Sequence, residues 1–367
     1  MTAAAAAVRL SVPGKVILMG EHAAVYGRPA VVAAVGLRLT VEAGVGSVAG
    51  GGGVHLDLPD LGLAEEHSWP EVEEFANRAR GQWRAFRAGE KPFRASRDRS
   101  ALVRIAVGEG LASLAPAASA RLRERTLELR LRSAIPVGAG VGSSAAAAVG
   151  VVAAVRAVAA GVGLRGPTEL AAIEAAALEV ERRQHGFPSG IDSGTVLRGG
   201  VLFVRGGERE LQFDDLPRPL WLLNGLSIID SGTPGQTTGA VVTTVRRRYE
   251  QDPDGVAEVL DRIGTATEAF REALIADRES QALAAIAAGH RGLVDLGVVP
   301  PAIARRIRRI EAADGAAKIS GAGALEGESA GALICMLGGR QSETIEGSSD
   351  LAPVDAPIGA DGLRFED

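Results

Sequence analysis

The stretch AIPVGAGVGSSAAAAVG, Ala134 to Gly150, decides how this chain is read. Glycines stand at Gly138, Gly140 and Gly142, followed by Ser143, Ser144 and four alanines. Upstream, RTLELRLRSAIP alternates Leu127, Leu129 and Leu131 and stops at Pro136, the period-two pattern of a strand. Downstream, the alanine-rich run from Ser144 to Ala160 favours a helix that closes at Gly161 and Gly163. The order strand, glycine loop, helix gathers backbone N–H groups and the positive end of a helix at one point, which attracts anions. Glycine lets backbone approach a phosphate without Cβ obstruction. The serine hydroxyls can cap the helix or hold a metal. No Gly-Lys-Ser/Thr follows, so this is not a Walker loop, and the spacing does not fit the dinucleotide fingerprint. In a chain with 48 glycines the loop alone reads equally as a phosphate site or a structural turn.

The rest of the composition bounds the answer. A length of 367 residues allows one large domain or two smaller ones. Hydrophobic residues at 46% and charged residues at 23% fit an ordinary globular core. The net charge of -5 argues against a general nucleic-acid binder. The basic stretch RASRDRSALVR, Arg94 to Arg104, reads as a solvated helix face or the rim of an anion cleft. The N-terminus lacks a basic signal-peptide region, and the small-residue run after Ser144 reads as a buried helix rather than a membrane span. A cytoplasmic protein without a membrane partner is expected. The single cysteine, Cys335, sits in the apolar run GALICML and reads as a core residue.

Along the chain, VRLSVPGKVILMGEH reads as two short strands broken at Pro13-Gly14, and GLRLTVEAGV as another. Gly50 to Gly53 reads as a turn. Helices are expected at SWPEVEEFANRARGQWRAFRAG, with Trp69, Val72, Phe75 and Trp83 inward, at SALVRIAVGEGLASLA, and at GPTELAAIEAAALEVERRQHG. GTVLRGGVLFVRGG reads as two strands turning near Gly199-Gly200, and WLLNGLSIIDSG as one more. Helices follow over 238–251, 253–276, 279–293 and 301–313, then strands in AAKISGAG and AGALICML and an irregular tail from Gly338. A mixed α/β first part, 1–210, and a helix-rich second part, 211–367, are expected.

Two further stretches carry chemistry. In PGKVILMGEHAAVYGRPAV, Lys15 ends a loop, and Glu21, His22 and Tyr26 crowd a glycine-flanked turn. A lysine there can neutralise a phosphate or stabilise an alkoxide, although each residue alone also suits a plain surface. In EVERRQHGFPSGIDSG, Glu181 and His185 share one helix face, and GFPSG forces a turn before the loop residue Asp192. A helix Glu and a loop Asp suit a hard-cation site beside a general base; a surface arginine partner for Glu181 is the simpler account. KISGAGALEGESAGALICML places a glycine loop between two strands, either a lid on a ligand or a β-turn with an insertion.

These four motifs, in this order, resemble the GHMP kinase superfamily, and within it the mevalonate kinase family. PVGAGVGSSAAAAVG resembles the phosphate-binding motif, with Val141 in the usual leucine place, and HGFPSGID resembles the His-Gly-x-Pro-Ser-Gly-x-Asp of mevalonate kinases. The resemblance implies a two-domain α/β (α+β) fold: a mixed N-terminal domain like ribosomal protein S5 domain 2, and a ferredoxin-like C-terminal domain. It implies ATP-dependent, Mg²⁺-assisted phosphorylation of a small alcohol, mevalonate, with dimers common in the family. Another small-molecule kinase of the superfamily, or a non-catalytic nucleotide binder, are the alternatives. At matching positions Asp192 would be the base and Lys15 its neighbour at the developing oxyanion. Pro136, Gly138, Ala139, Gly140, Gly142, Ser143, Ser144 and Ala145 would cradle the nucleotide phosphates. Ser144 and Glu181 would hold Mg²⁺, and Glu21, His22 and Thr237 would face the substrate. The chain departs from the family pattern at Met19, Ser193 and Pro234, and in the third glycine loop, where Glu326 and Glu328 interrupt the expected glycine run.

Overall fold

The computed structural model describes residues 8–46, 52–94, 96, 98–136, 138–161, 166–207, 210–337 and 353–366. Gly50 and Gly51 of the expected turn, Gly163, and the tail over 338–352 lie outside the described residues.

The first part runs β1 (Val8–Met19), β2 (Ala30–Gly46), β3 (Gly53–Leu58), β4 (Leu63–Ser68), α1 (Trp69–Arg87), α2 (Ala101–Ala112), α3 (Pro116–Arg123), β5 (Thr126–Ser133), α4 (Ser143–Ala160), α5 (Pro167–His185), α6 (Ile191–Arg198), β6 (Val201–Gly207) and β7 (Glu210–Asp215). The second runs α7 (Leu220–Gly225), β8 (Leu226–Asp230), α8 (Thr238–Gln251), α9 (Pro253–Ile275), α10 (Glu279–Asp295), α11 (Pro301–Glu311), β9 (Ala316–Ile319), β10 (Ala332–Met336), β11 (Pro353–Val354) and β12 (Arg364–Glu366). The strands form an eight-stranded sheet, β12-β1-β2-β5-β3-β4 with β6 joined to β2 and β7 to β6, and a four-stranded sheet, β11-β8-β10-β9.

Three local readings change. The segment expected to be two strands is the single strand β1, which pairs with β2 from Val8↔Ala43 to Met19↔Val31 and absorbs Pro13-Gly14 in a register shift. Proline lacks a donor, and a bulge lets the ladder pass it. Lys15 therefore sits inside a strand, not at the end of a loop. GTVLR is helical, not a strand: Gly190 (φ 80°) starts α6, and Thr195 Oγ1 donates to Ile191 O at 2.7 Å within it. WLLNGLSIID divides into α7 and β8. Runs this short carry too few periods to tell a helix from a strand. The hairpin β3–β4 was not anticipated, because LAEEHS breaks the apolar alternation: Glu66 faces outward opposite His55, but Glu65 lies on the inner face opposite the buried Leu56.

α4 is the one helix among the described residues long and apolar enough to cross a membrane, and 72% of it is buried inside the protein. It packs on β1 and β2 so closely that a Cβ on Gly150 would stand 3.0 Å from Val41 Cγ2 and 3.3 Å from Val12 Cγ2. Small side chains bring this helix onto the sheet and set its N-terminus at the sheet's end. α1 opens with a capping box, Ser68 with Glu71, and buries Trp69, Val72 and Ala76, while Phe75 and Trp83 are half-buried.

A division at 210/211 runs through paired strands. It would cut the β6–β7 hairpin, whose register runs from Leu202↔Asp215 to Gly207↔Glu210. It would also assign the C-terminal strand to the wrong sheet, since Arg9 pairs with Glu366 across β1 and β12. Gly36 N donates to Pro357 O at 2.8 Å on the way back. Backbone donors at the β1 edge need partners, and the returning chain supplies them.

Candidate active site

The glycine loop lies flat on β1. Gly138, Gly140 and Gly142 have φ of 83°, 79° and 87°, the left-handed region where glycine is favoured. Between them Ala139 and Val141 are buried, so apolar anchors alternate with the exposed Gly138 and Gly140 and the half-buried Gly142; Pro136 is exposed at the loop's start. Lys15 N donates to Val141 O at 2.9 Å. A Cβ on Gly142 would stand 2.7 Å from Lys15 Cγ and 2.9 Å from Lys15 N. Gly142 is the N-cap of α4 and offers no side-chain cap, and Ser143 and Ser144 do not cap it either. The first N–H groups of α4 are left for an anion, with Ala145 buried beneath them.

Lys15 and Asp192 meet. Lys15 Nζ lies 2.8 Å from Asp192 Oδ1, the lysine side chain 5% exposed and the aspartate 41%. Asp192 is not a loop residue: it occupies the first turn of α6, where the helix dipole favours a carboxylate. The turn before it is braced from α1, where Trp83 Nε1 donates to Gly186 O at 2.8 Å and Phe86 meets Phe187 edge-on at 4.8 Å.

Glu181 is 3% exposed near the end of α5; among the described residues it has no arginine partner, and its buried Oε1 has no hydrogen-bond partner. Burial, then the nearby charge of Asp192, pushes its pKa up to about 8, against the opposing effect of Lys15 and of hydrogen bonds from Ser193. Ser144 Oγ and His185 Nε2, one turn beyond Glu181, are 3.2 Å apart. An orphaned carboxylate oxygen whose charge is disfavoured fits a site that takes a cation. Among the described residues no group of three or more His, Cys, Asp or Glu could hold a metal alone. That donor set suits Mg²⁺ held by one carboxylate and one hydroxyl, with phosphate oxygens and water completing the shell.

Glu21 and His22 form a buried corner between β1 and the 3-10 turn Ala23–Tyr26. His22 adopts φ 58°, and its Nε2–H donates to Ala322 O at 3.0 Å. Burial lowers the His22 pKa, and it raises that of Glu21. Glu21 pairs with Lys318 of β9, a fully buried lysine that also donates to Ile319 O at 2.8 Å. No role for Lys318 was read from the sequence. The signal was there: a lysine inside the otherwise apolar strand AAKI must find a charge or be neutralised. Thr237 is the N-cap of α8, its Oγ1 accepting from Ala240 N at 3.3 Å. A Cβ on Gly239 would stand 3.7 Å from His185 O, so this helix start borders the end of α5.

The third glycine loop packs against the first. A Cβ on Gly140 would stand 3.4 Å from Ala332 N and 3.6 Å from Ser320 O. Glu326 and Glu328 are exposed, and Glu326 Oε1 accepts from Gln236 Nε2 at 3.3 Å. Its carboxylate is drawn to the side of the loop.

A glycine loop at a helix start, a buried lysine against a carboxylate, and an orphaned second carboxylate are groups suited to binding phosphate and a cation. Residues 105–200 match the N-terminal domain of the GHMP kinases. A mevalonate kinase from Thermococcus sibiricus is 30% identical over 382 residues, 98% of each chain. The chain belongs to the mevalonate kinase family. Among solved structures, the mevalonate kinase of Methanococcus jannaschii superposes with a TM-score of 0.70 at 20% identity, over 98% of both chains. The Lactococcus lactis galactokinase complexed with galactose gives 0.69 at 15% identity, over 98% of this chain and 95% of that one. The fold is therefore the GHMP kinase fold, shared by mevalonate kinases and sugar kinases. Members of this family take ATP as a substrate, and the chain is an enzyme of that kind.

Proposed function

We propose that this chain transfers the terminal phosphoryl group of ATP to the 5-hydroxyl of mevalonate, giving 5-phosphomevalonate and ADP. The observation that carries this reading is the Lys15–Asp192 pair at the foot of the glycine loop. Asp192, the more exposed partner, accepts the hydroxyl proton as the oxygen attacks phosphorus. Lys15, buried behind it, offsets negative charge on that oxygen. The N–H groups of Gly138 to Ala145 bind and orient the phosphates. Ser144 and Glu181 would hold Mg²⁺, which when bound supplies charge neutralisation on the phosphates. Catalysis of this kind is mostly positioning and charge stabilisation. Mevalonate, rather than a sugar, is favoured by relatives that match along nearly the whole chain.

The test is a coupled ADP-release assay with mevalonate, phosphomevalonate, galactose and further sugars as acceptors. Turnover on mevalonate at least about a hundredfold above every other acceptor is expected, the discrimination available to a site that hydrogen-bonds its substrate. Preference for a sugar or for phosphomevalonate, or ADP release from none, defeats the reading.

A further inference from the structure

Lys318 lies outside every role assigned so far, yet it is paired with Glu21. Both residues are buried, at 0% and 2% exposure; Lys318 stands on β9 of the four-stranded sheet and Glu21 in the turn that follows β1 of the eight-stranded sheet. Lys318 gives one bond to Glu21 and one to Ile319 O. Among the described residues Glu21 Oε2 has no hydrogen-bond partner. Taking two charges out of water costs more than their attraction returns unless geometry is tightly held, so such a pair is weak evidence for stability.

The same short segment ties β1 at two more places. Ile17 N donates to Ser320 Oγ at 2.9 Å, and His22 donates to Ala322 O at 3.0 Å. Residues 318–322 therefore brace the whole corner that carries Glu21 and the left-handed His22. That segment also touches the glycine loop, through Ser320 O near Gly140. A non-glycine residue with positive φ persists only where its surroundings hold it. Glu21 also feels the charge of Lys15, so the corner and the Lys15–Asp192 pair share one electrostatic neighbourhood.

We propose that Lys318 is a positioning residue for the alcohol substrate, acting through Glu21: its ion pair fixes the Glu21–His22 corner against which the acceptor binds. This rests on the kinase reading above. Among the described residues the polar partners of Lys318 are Glu21 and Ile319 O, not the loop glycines or Asp192, so its loss bears on the acceptor rather than on ATP.

A double-mutant cycle tests it, with KM for the acceptor, KM for ATP and kcat measured on parent, Lys318→Met, Glu21→Gln and the double variant. The acceptor used is whichever one the parent turns over. Each single change is expected to raise the acceptor KM by about tenfold or more, with smaller changes in kcat and in the ATP KM. In the Glu21→Gln background, Lys318→Met is expected to raise it by no more than about twofold further, because Lys318 then has nothing to act through. If Lys318→Met does not fold, the comparison of Glu21→Gln with the double variant, which leaves no unpaired charge, carries the test alone. An acceptor KM unchanged in Lys318→Met, or effects that multiply in the double variant, overturns the proposal and leaves the kinase reading standing. A parent that releases no ADP overturns the kinase reading itself, and this role with it.

Discussion

Lys15 Nζ stands 2.8 Å from Asp192 Oδ1, with the lysine buried and the aspartate open on its far side. The asymmetry gives direction to the site. A hydroxyl can reach Asp192 only from the open side, and the lysine charge lies behind the oxygen that loses its proton. The pair forms because β1 passes under the glycine loop and α6 begins at Gly190, directly after a turn braced by Trp83.

Asp192→Asn keeps the shape and removes the base. Its kcat is expected to fall by about a hundred- to ten-thousandfold, the usual worth of a general base. ATP affinity, followed by fluorescence of a nucleotide analogue, is expected to change by less than about threefold. Parent-like turnover removes Asp192 from the chemistry.

Glu181→Gln and Ser144→Ala should each raise the Mg²⁺ concentration for half-maximal activity, by about tenfold for the charged ligand and less for the hydroxyl. Metal titrations of both variants check this. Curves superposing on the parent in both exclude these residues from the cation site.

Gly142→Ala places a methyl group 2.7 Å from Lys15 Cγ at a φ of 87°. Strain of this kind costs about 1–3 kcal/mol. Urea unfolding should show that loss, and kcat should fall about tenfold or more as Lys15 is displaced. An alanine variant with parent stability and parent kcat contradicts the packing of the loop on β1.

His290 is 5% exposed, and its pKa is pushed down to about 4 by burial first, then by Lys318, Arg291 and Arg308. In the unfolded chain a histidine titrates near 6.5. Between those values the unfolded state holds the extra proton, so stability falls as pH drops from about 6.5 towards 4 and is flat above. The group accounts for on the order of 2–3 kcal/mol of that loss. Urea unfolding of parent and His290→Asn across this range checks it: the two curves should diverge on acidification. Parallel curves count against it.

Cys335 is 2% exposed in β10, and burial pushes its thiol up to about 12. Only the thiolate reacts with disulfide reagents. At pH 8 the native chain should react at least about a hundredfold more slowly than the urea-unfolded chain. Rapid labelling of the native protein disproves the burial of Cys335.

Much of the site was legible because its motifs are local. The glycine loop, HGFPSGID and the Glu181–His185 face each depend on neighbours in sequence, and the structure places Lys15 beside Asp192 and Ser144 beside His185. Long helices such as α8, whose bounds match the sequence reading, show enough periods to be read directly. Short elements did not. Whether GTVLR is a helix depends on what it packs against, and its pattern is too brief to say.

The sequence by itself determined the family, the long helices and which residues are candidates for the chemistry, because spacing and residue type are written in the chain. Only the tertiary structure decided the rest. It put Asp192 on a helix start, ran Lys15 through a continuous strand, returned the C-terminal strand to the first sheet, and paired Lys318 with Glu21. The reason is physical: a buried charge or an open strand edge must be satisfied, and the partner that satisfies it lies hundreds of residues away, where no local pattern points.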